Sequence, residues 1–156
     1  MVITFVVNGR PVELAIEPHE VLLDVLRDRL ELRGAKRSCD AQVCGACTVL
    51  VDGEPVSACA YLTYEARGRQ VLTIEGLADG ESLHPIQRAF VAHGALQCGY
   101  CTPGMILTIS ALLADNPLPS EAEVRAALAG NLCRCTGYTK IVEAVLEVAR
   151  AAASNP

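Results

Sequence analysis

The hydrophobic pattern divides the chain in two. Strand-like runs occupy the first half, and helical spacing takes over beyond about residue 83. Val2–Val7 and Val12–Ile16 are β-rich runs on either side of Asn8-Gly9, a dipeptide suited to a two-residue hairpin turn. An amphipathic helix is predicted from Glu20 to Leu30, with Val21, Leu22, Val25, Leu26 and Leu30 on one face. A second hairpin is predicted around Asp52-Gly53, from Thr48–Val51 and Pro55–Ala58, and a last strand from Val71 to Ile74. This ββαββ-like order is that of a β-grasp ferredoxin. Gly, Asp, Glu and Ser gather between Gly76 and Ser82 as a linker. Helices are then predicted at Pro85–Ala95, Pro103–Ala114, Glu121–Ala129 and Tyr138–Ala152, enough for a small bundle. Ser120-x-x-Glu123 is a capping box for the third of them, and Gly130 is its expected C′ residue. The expected fold class is α+β: a β-grasp unit over residues 1–76 and a helical unit over 83–156.

Cysteines give the two halves their chemistry. Cys39, Cys44 and Cys47 are separated by four and then two residues, the plant-type spacing for a [2Fe–2S] cluster. Cys59, delivered back by the second hairpin, is the candidate fourth ligand. Gly45 and Ala46 are small enough for the backbone to curl close to such a cluster. Zinc is the rival, because Cys44-x-x-Cys47 also suits a tetrahedral site. In the helical half, Cys98-Gly-Tyr-Cys101 precedes the second helix and Cys133-Arg-Cys135 precedes the fourth. A thioredoxin-type role for Cys98 and Cys101 needs a βαβ setting that the pattern lacks. Four thiolates from two helix junctions suit a second metal site, with zinc and a cluster evenly placed on spacing alone. The positive ends of two helices would offset a cluster's negative charge.

Composition narrows the partners. Net charge is −5 and basic runs are short, which argues against nucleic acid. The chain is 51% hydrophobic but only 4% aromatic, consistent with an Ala-rich core or with surface buried against other chains. No apolar run reaches the ~18 residues that span a bilayer. The N-terminus lacks the positive region of a signal peptide, and eight cysteines suit a reducing compartment, so a cytoplasmic location is expected.

Three motifs, Cys39-x4-Cys44-Gly-Ala-Cys47-Thr-Val, Gln97-Cys-Gly-Tyr-Cys-Thr-Pro-Gly104 and Asn131-Leu-Cys-Arg-Cys-Thr-Gly-Tyr138, together resemble the small iron–sulfur subunit of the molybdenum hydroxylases. That family includes xanthine dehydrogenase, aldehyde oxidoreductase and carbon monoxide dehydrogenase, and the resemblance covers almost the whole chain. It implies two [2Fe–2S] clusters, one held by Cys39, Cys44, Cys47 and Cys59, the other by Cys98, Cys101, Cys133 and Cys135. It decides the second site against zinc. It also implies an electron-transfer role: from a molybdopterin centre on a large subunit, through both clusters, to FAD on a medium subunit. The assembly expected is a dimer of heterotrimers. The resemblance places Gln97 and the sulfur of Cys135 in contact with the pterin and the β-grasp cluster nearer the flavin. One departure is visible: Asp40 and Ala41 stand where many relatives carry glycines.

Other residues carry less. His19, His84 and His93 have no cysteine at ligand spacing, so surface or capping roles are expected. Packing against the helical cluster is enough to explain Tyr100 and Tyr138. Arg134 either softens that cluster's charge or meets a partner, and Arg67-Gly-Arg69 reads as a solvated loop. The β-grasp cysteines are expected nearer solvent than the helical set, which the bundle and a partner are expected to cover. No FAD- or molybdenum-binding segment is recognisable, so the chain is expected to be a part of an enzyme. The competing class is a free-standing iron–sulfur carrier or a zinc-stabilised adaptor.

Overall fold

The computed structural model of the chain describes residues 1–154, so the last two positions of the predicted helical unit lie outside it. β1 (Val2–Val7) and β2 (Arg10–Ala15) form an antiparallel hairpin in which Val2 faces Ala15 and Val7 faces Arg10. Asn8 and Gly9 turn it with φ of +50° and +76°, the left-handed pair that matches strand twist. β2 starts earlier than its β-rich run and takes in Pro11. An inner strand would not hold that proline, but β2 is an edge strand, where a missing donor is tolerated. β3 (Thr48–Val51) and β4 (Glu54–Ser57) repeat the design around Asp52-Gly53, with Pro55 on the opposite edge.

β5 (Gln70–Leu72) lies in the middle, parallel to β1 and antiparallel to β3, giving the order β2-β1-β5-β3-β4. It ends before Ile74, short of the predicted strand. The Asn8 carboxamide captures Thr73, accepting from its N–H and donating to its hydroxyl, each at 2.9 Å, and the chain turns into a 3-10 segment at Ile74–Gly76.

The helix expected from Glu20 to Leu30 is shorter and wound differently. α1 (Leu22–Asp24) is one α-helical turn that runs into a π-helical turn at Val25–Arg29. Leu22, Leu23, Val25 and Leu26 all lie at 0% exposure. Four apolar side chains in five positions need a broader face than an ordinary helical stripe, and the wider π turn supplies it. They close the first core against Ile3, Phe5, Val7, Val49 and Val71.

The second half holds α2 (Pro85–Ala92), α3 (Thr102–Asp115), α4 (Glu121–Ala127) and α5 (Thr139–Ala153). His84 caps α2, with Nδ1 accepting the Ile86 N–H and Gln87 Oε1 accepting the His84 N–H. Burial, with Arg88 nearby, holds the His84 imidazole below its ordinary pKa and so favours the neutral acceptor form. His93 meets Glu147 at 2.7 Å on the surface. Ser120 and Glu123 form the expected capping box. Gly130 is not the left-handed C′ residue the sequence suggests. α4 instead tightens into a 3-10 turn at Leu128–Gly130. The second core is built from Ile86, Phe90, Met105, Ile109, Val124 and Ile141. Among the described residues, no helix is long and apolar enough to cross a membrane.

α3 does more than join a bundle. All four residues of β3 are buried, and α3 lies across the sheet there. Val49 and Val51 belong to the first core, so Thr48 and Leu50 face the other way, towards α3. The contact is so close that a Cβ on Gly104 would lie 2.2 Å from the Gly45 carbonyl oxygen. Replacing a helical glycine by alanine ordinarily stabilises by up to about 1 kcal/mol. Gly104→Ala should do the reverse, destabilising by about 1–3 kcal/mol through forced backbone displacement. Thermal unfolding of the two proteins checks this, and an unchanged or raised melting temperature would mean that the two halves can part without cost.

Candidate metal centres

The first cysteine loop is shaped by left-handed backbone. Asp40, Gln42 and Gly45 have φ of +50°, +57° and +67°, so the chain between Cys39 and Cys47 curls repeatedly to one side. Asp is among the few non-glycine residues that tolerate this geometry. Arg37 holds Asp40 in place at 2.7 Å and also pairs with Asp24. The departure at Asp40 therefore keeps a glycine-like backbone, braced by an ion pair. The curl aims main-chain donors at sulfur: the N–H of Ala41 lies 3.4 Å from Cys39 Sγ. That bond, with others from the N–H groups of Val43 and Cys44, lowers the Cys39 pKa to about 6.

All eight cysteines are free thiols, and their sulfurs come together in twos. Cys39 meets Cys44 and Cys47 meets Cys59 in the β-grasp half. In the helical half, Cys135 Sγ lies 3.6 Å from Cys98 Sγ, and Cys101 meets Cys133. A tetrahedral zinc calls for four sulfurs about a single point, whereas two bridged irons call for two thiolates each. Two pairs per loop set fit the second demand. Burial pushes the Cys47 thiol up to about 11 and the Cys101 thiol up to about 12, so both are protonated at neutral pH without metal. Binding a cluster would displace those protons.

Within this chain alone, the bundle does not cover the helical set as expected. Cys39 is exposed, Cys44 and Cys59 are partly buried and Cys47 is buried. In the helical set Cys98 and Cys135 are both exposed, and only Cys101 and Cys133 are partly covered. Within this chain the helical set is not the deeper one, because its loops project from the ends of α3 and α5 rather than lying under the bundle. Gln97 and Cys135 share that open side, where Gln97 Nε2 donates to the Cys135 carbonyl at 3.0 Å. Arg134 is exposed between the two cysteines.

The two loop sets are locked together by residues to which the sequence assigns no role. Asn131 is 3% exposed; its Nδ2 donates to the Gly45 carbonyl at 3.2 Å and to Thr48 Oγ1 at 3.4 Å. Its Oδ1 accepts from Thr108 Oγ1 at 3.0 Å. The Leu132 N–H donates to the Cys44 carbonyl at 2.8 Å. Gly45 is small for a reason other than access to a cluster: a Cβ there would lie 2.4 Å from the Gly130 oxygen and 2.5 Å from Asn131 Nδ2. The tyrosines also do more than pack. Tyr138 accepts from the Cys133 N–H at 2.8 Å and donates to the Asn131 carbonyl at 3.0 Å, while Tyr100 donates to the Arg37 carbonyl. A lone Asn before the Cys133 pair was the available signal, but only the fold shows what it reaches.

The β-grasp sheet, the helical half and two sets of paired thiols define a two-cluster iron–sulfur protein. Residues 5–78 match the 2Fe-2S iron-sulfur cluster binding domain family, and residues 73–146 match the [2Fe-2S] binding domain family. The chain is 50% identical over 141 residues to the nicotine 6-hydroxylase small subunit of Paenarthrobacter nicotinovorans, covering 90% of this chain and 85% of that one. It is 47% identical over 138 residues to the nicotinate dehydrogenase small FeS subunit of Eubacterium barkeri, covering 88% of each. Its fold is similar to the structure of quinoline 2-oxidoreductase from Pseudomonas putida 86, with a TM-score of 0.94, 46% identity and coverage of 99% of this chain and 97% of that one. The chain belongs to the family of small iron–sulfur subunits of the molybdenum hydroxylases.

Asn131 gives the arrangement a direct test. Asn131→Ala removes a buried amide that bonds Gly45, Thr48 and Thr108, at a cost of about 1–3 kcal/mol in all, since Thr48 still donates to the Gly45 carbonyl and Thr108 to the Gly104 carbonyl. The variant should melt at a lower temperature and lose iron from both halves together on mild heating. Loss from the helical half alone would show that the two loop sets are held independently.

Proposed function

We propose that this chain carries electrons singly from a molybdopterin-bound molybdenum centre on a large subunit to FAD on a medium subunit, within a dimer of heterotrimers. The observation that carries the reading is the pairing of eight thiols into two sets joined by the Leu132–Cys44 hydrogen bond. When bound, a [2Fe–2S] cluster takes up and gives back one electron at a time. Cys39 and Cys44 would hold one iron and Cys47 and Cys59 the other; in the helical half the pairs are Cys98 with Cys135 and Cys101 with Cys133. Gln97 and Cys135 would face the pterin, since both are exposed on the same side and already bonded to each other. The curled loop at Cys39 would face the flavin. Separate cores support a β-grasp unit over 1–76 and a helical unit over 83–156, while Asn131 and Gly104 make the two act as one body. Eight thiols outside any disulfide favour a reducing compartment, and we place the enzyme in the cytoplasm.

Elemental analysis of the native protein should give about four irons and four acid-labile sulfides per chain, by two-iron stoichiometry. Two zincs in place of iron would remove the basis for electron transfer. Two larger chains should co-purify.

The direction of flow has its own test. Gln97→Ala should keep both clusters and slow electron delivery from the molybdenum subunit. Cys44→Ser should damage the β-grasp cluster and block reduction of flavin, with molybdenum still reducible by substrate. Rapid-mixing spectroscopy that follows molybdenum, clusters and flavin separately distinguishes these blocks. The order proposed would be reversed if Cys44→Ser stopped transfer before the helical cluster filled.

A further inference from the structure

Cys133 is distinguished by what surrounds its sulfur. Three donors converge on Sγ: the N–H groups of Cys135 and Thr136, each at 3.4 Å, and the Thr136 hydroxyl at 3.1 Å. Among the described residues, no other cysteine sulfur accepts from a side-chain hydroxyl. The hydroxyl is also held in this orientation. The Tyr138 N–H donates to Thr136 Oγ1 at 3.3 Å, which occupies an acceptor lone pair and leaves the O–H proton for sulfur. Tyr138 can present its N–H this way because it and Gly137 both adopt left-handed backbone, with φ of +67° and +64°. Its phenol is tied at the same time to the Cys133 N–H and the Asn131 carbonyl. A chain of dipoles therefore runs from Tyr138 N–H through Thr136 O–H to Cys133 Sγ, each bond polarising the next.

We infer that Thr136 sets the reduction potential of the helical cluster, its hydroxyl raising that potential through a hydrogen bond to the Cys133 sulfur. The inference rests on the proposed ligand assignment. Reduction brings one electron from the partner's molybdenum centre onto the cluster and adds one negative charge shared with its thiolates; oxidation passes the same electron onward. A donor on a ligand sulfur stabilises the more negative state more strongly, so the cluster accepts more readily. Main-chain donors act on Cys39 too, but they come with the loop and cannot be varied singly. The Thr136 hydroxyl can. Thr136 is a positioning residue in this role, since it acts on the cluster through Cys133.

The test is a stepwise redox titration of the assembled enzyme, following the paramagnetic signals of the two clusters. Thr136→Val is close to isosteric and removes the O–H, whereas Thr136→Ser keeps it. At the wild-type midpoint, Thr136→Val should cut the reduced-to-oxidised ratio of the helical cluster at least threefold, a shift to more negative potential (a tenfold change is 59 mV for one electron). Thr136→Ser should stay near wild type, and the β-grasp signal should stay put in both. Iron and sulfide are counted first. A wild-type chain with no iron on the helical cysteines would defeat the ligand assignment itself. Full iron with an unmoved midpoint in Thr136→Val, or an equal shift in Thr136→Ser, would overturn the role of the hydroxyl alone. If Thr136→Val loses the cluster, Thr136→Ala, which cannot clash, takes its place. Loss in both, with retention in Thr136→Ser, would assign the hydroxyl to assembly and likewise overturn the inference.

Discussion

One buried carboxamide holds the molecule in a single piece. Asn131 is enclosed where α3, β3 and the Cys133 loop meet, and water cannot replace any partner it loses. Its nitrogen satisfies the Gly45 carbonyl and Thr48, and its oxygen satisfies Thr108 on α3. A buried polar group of this kind stabilises only when each of its bonds is made. The surrounding chain shows the consequence. Gly45 and Gly104 have no room for a side chain, because any Cβ would break the approach that lets the amide reach across.

That constraint fixes the relation between the two thiol sets. Leu132 follows Asn131 directly and donates to the Cys44 carbonyl, so Cys133 and Cys44 are referenced to adjacent points on one backbone. Tyr100 adds a second tie, from the loop between Cys98 and Cys101 to the Arg37 carbonyl. A functional site is exact only when its supporting residues are themselves locked, and here the same locks serve both sets. A free carrier with two independent halves has no need for this. A conduit needs it, because the separation between its two stops must not drift.

Much of the fold was legible because it rests on local chemistry. Asn8-Gly9 and Asp52-Gly53 call for left-handed turns and receive them, and Ser120 with Glu123 starts α4 as its pattern requires. The ligand candidates were legible for the same reason, since spacing within a loop is a local property. The misses were tertiary. Pro11 hid two residues of β2, because only sheet order reveals an edge. Thr73 left its strand for Asn8, a partner 65 residues away. The π turn after Leu22–Asp24 answers to the area of sheet it must cover, which periodicity does not encode. Asn131 was visible as a letter in a motif, yet its partners lie 83 and 86 positions upstream.

The distribution of exposure separates what this chain fixes for itself from what it leaves to others. Cys133 is partly buried and ringed by its own donors, so its surroundings are complete within one chain. Cys98 and Cys135 are open to solvent, and apolar side chains stand exposed on the neighbouring loops: Leu96, Tyr100, Leu132 and, on the first loop, Val43. Such a rim is costly in water and gains only when another surface covers it. Covering it would also remove water from two of the four helical thiolates. Loss of that water raises the free energy of the more negative, reduced state and works against the Thr136 bond. On the proposed function, the potential of the helical cluster is therefore a balance between a donor inside this subunit and desolvation imposed by its partner. The Thr136 hydroxyl bonded to the Cys133 sulfur would then have a physical purpose: to hold the reduced state within reach once docking has made that state harder to charge.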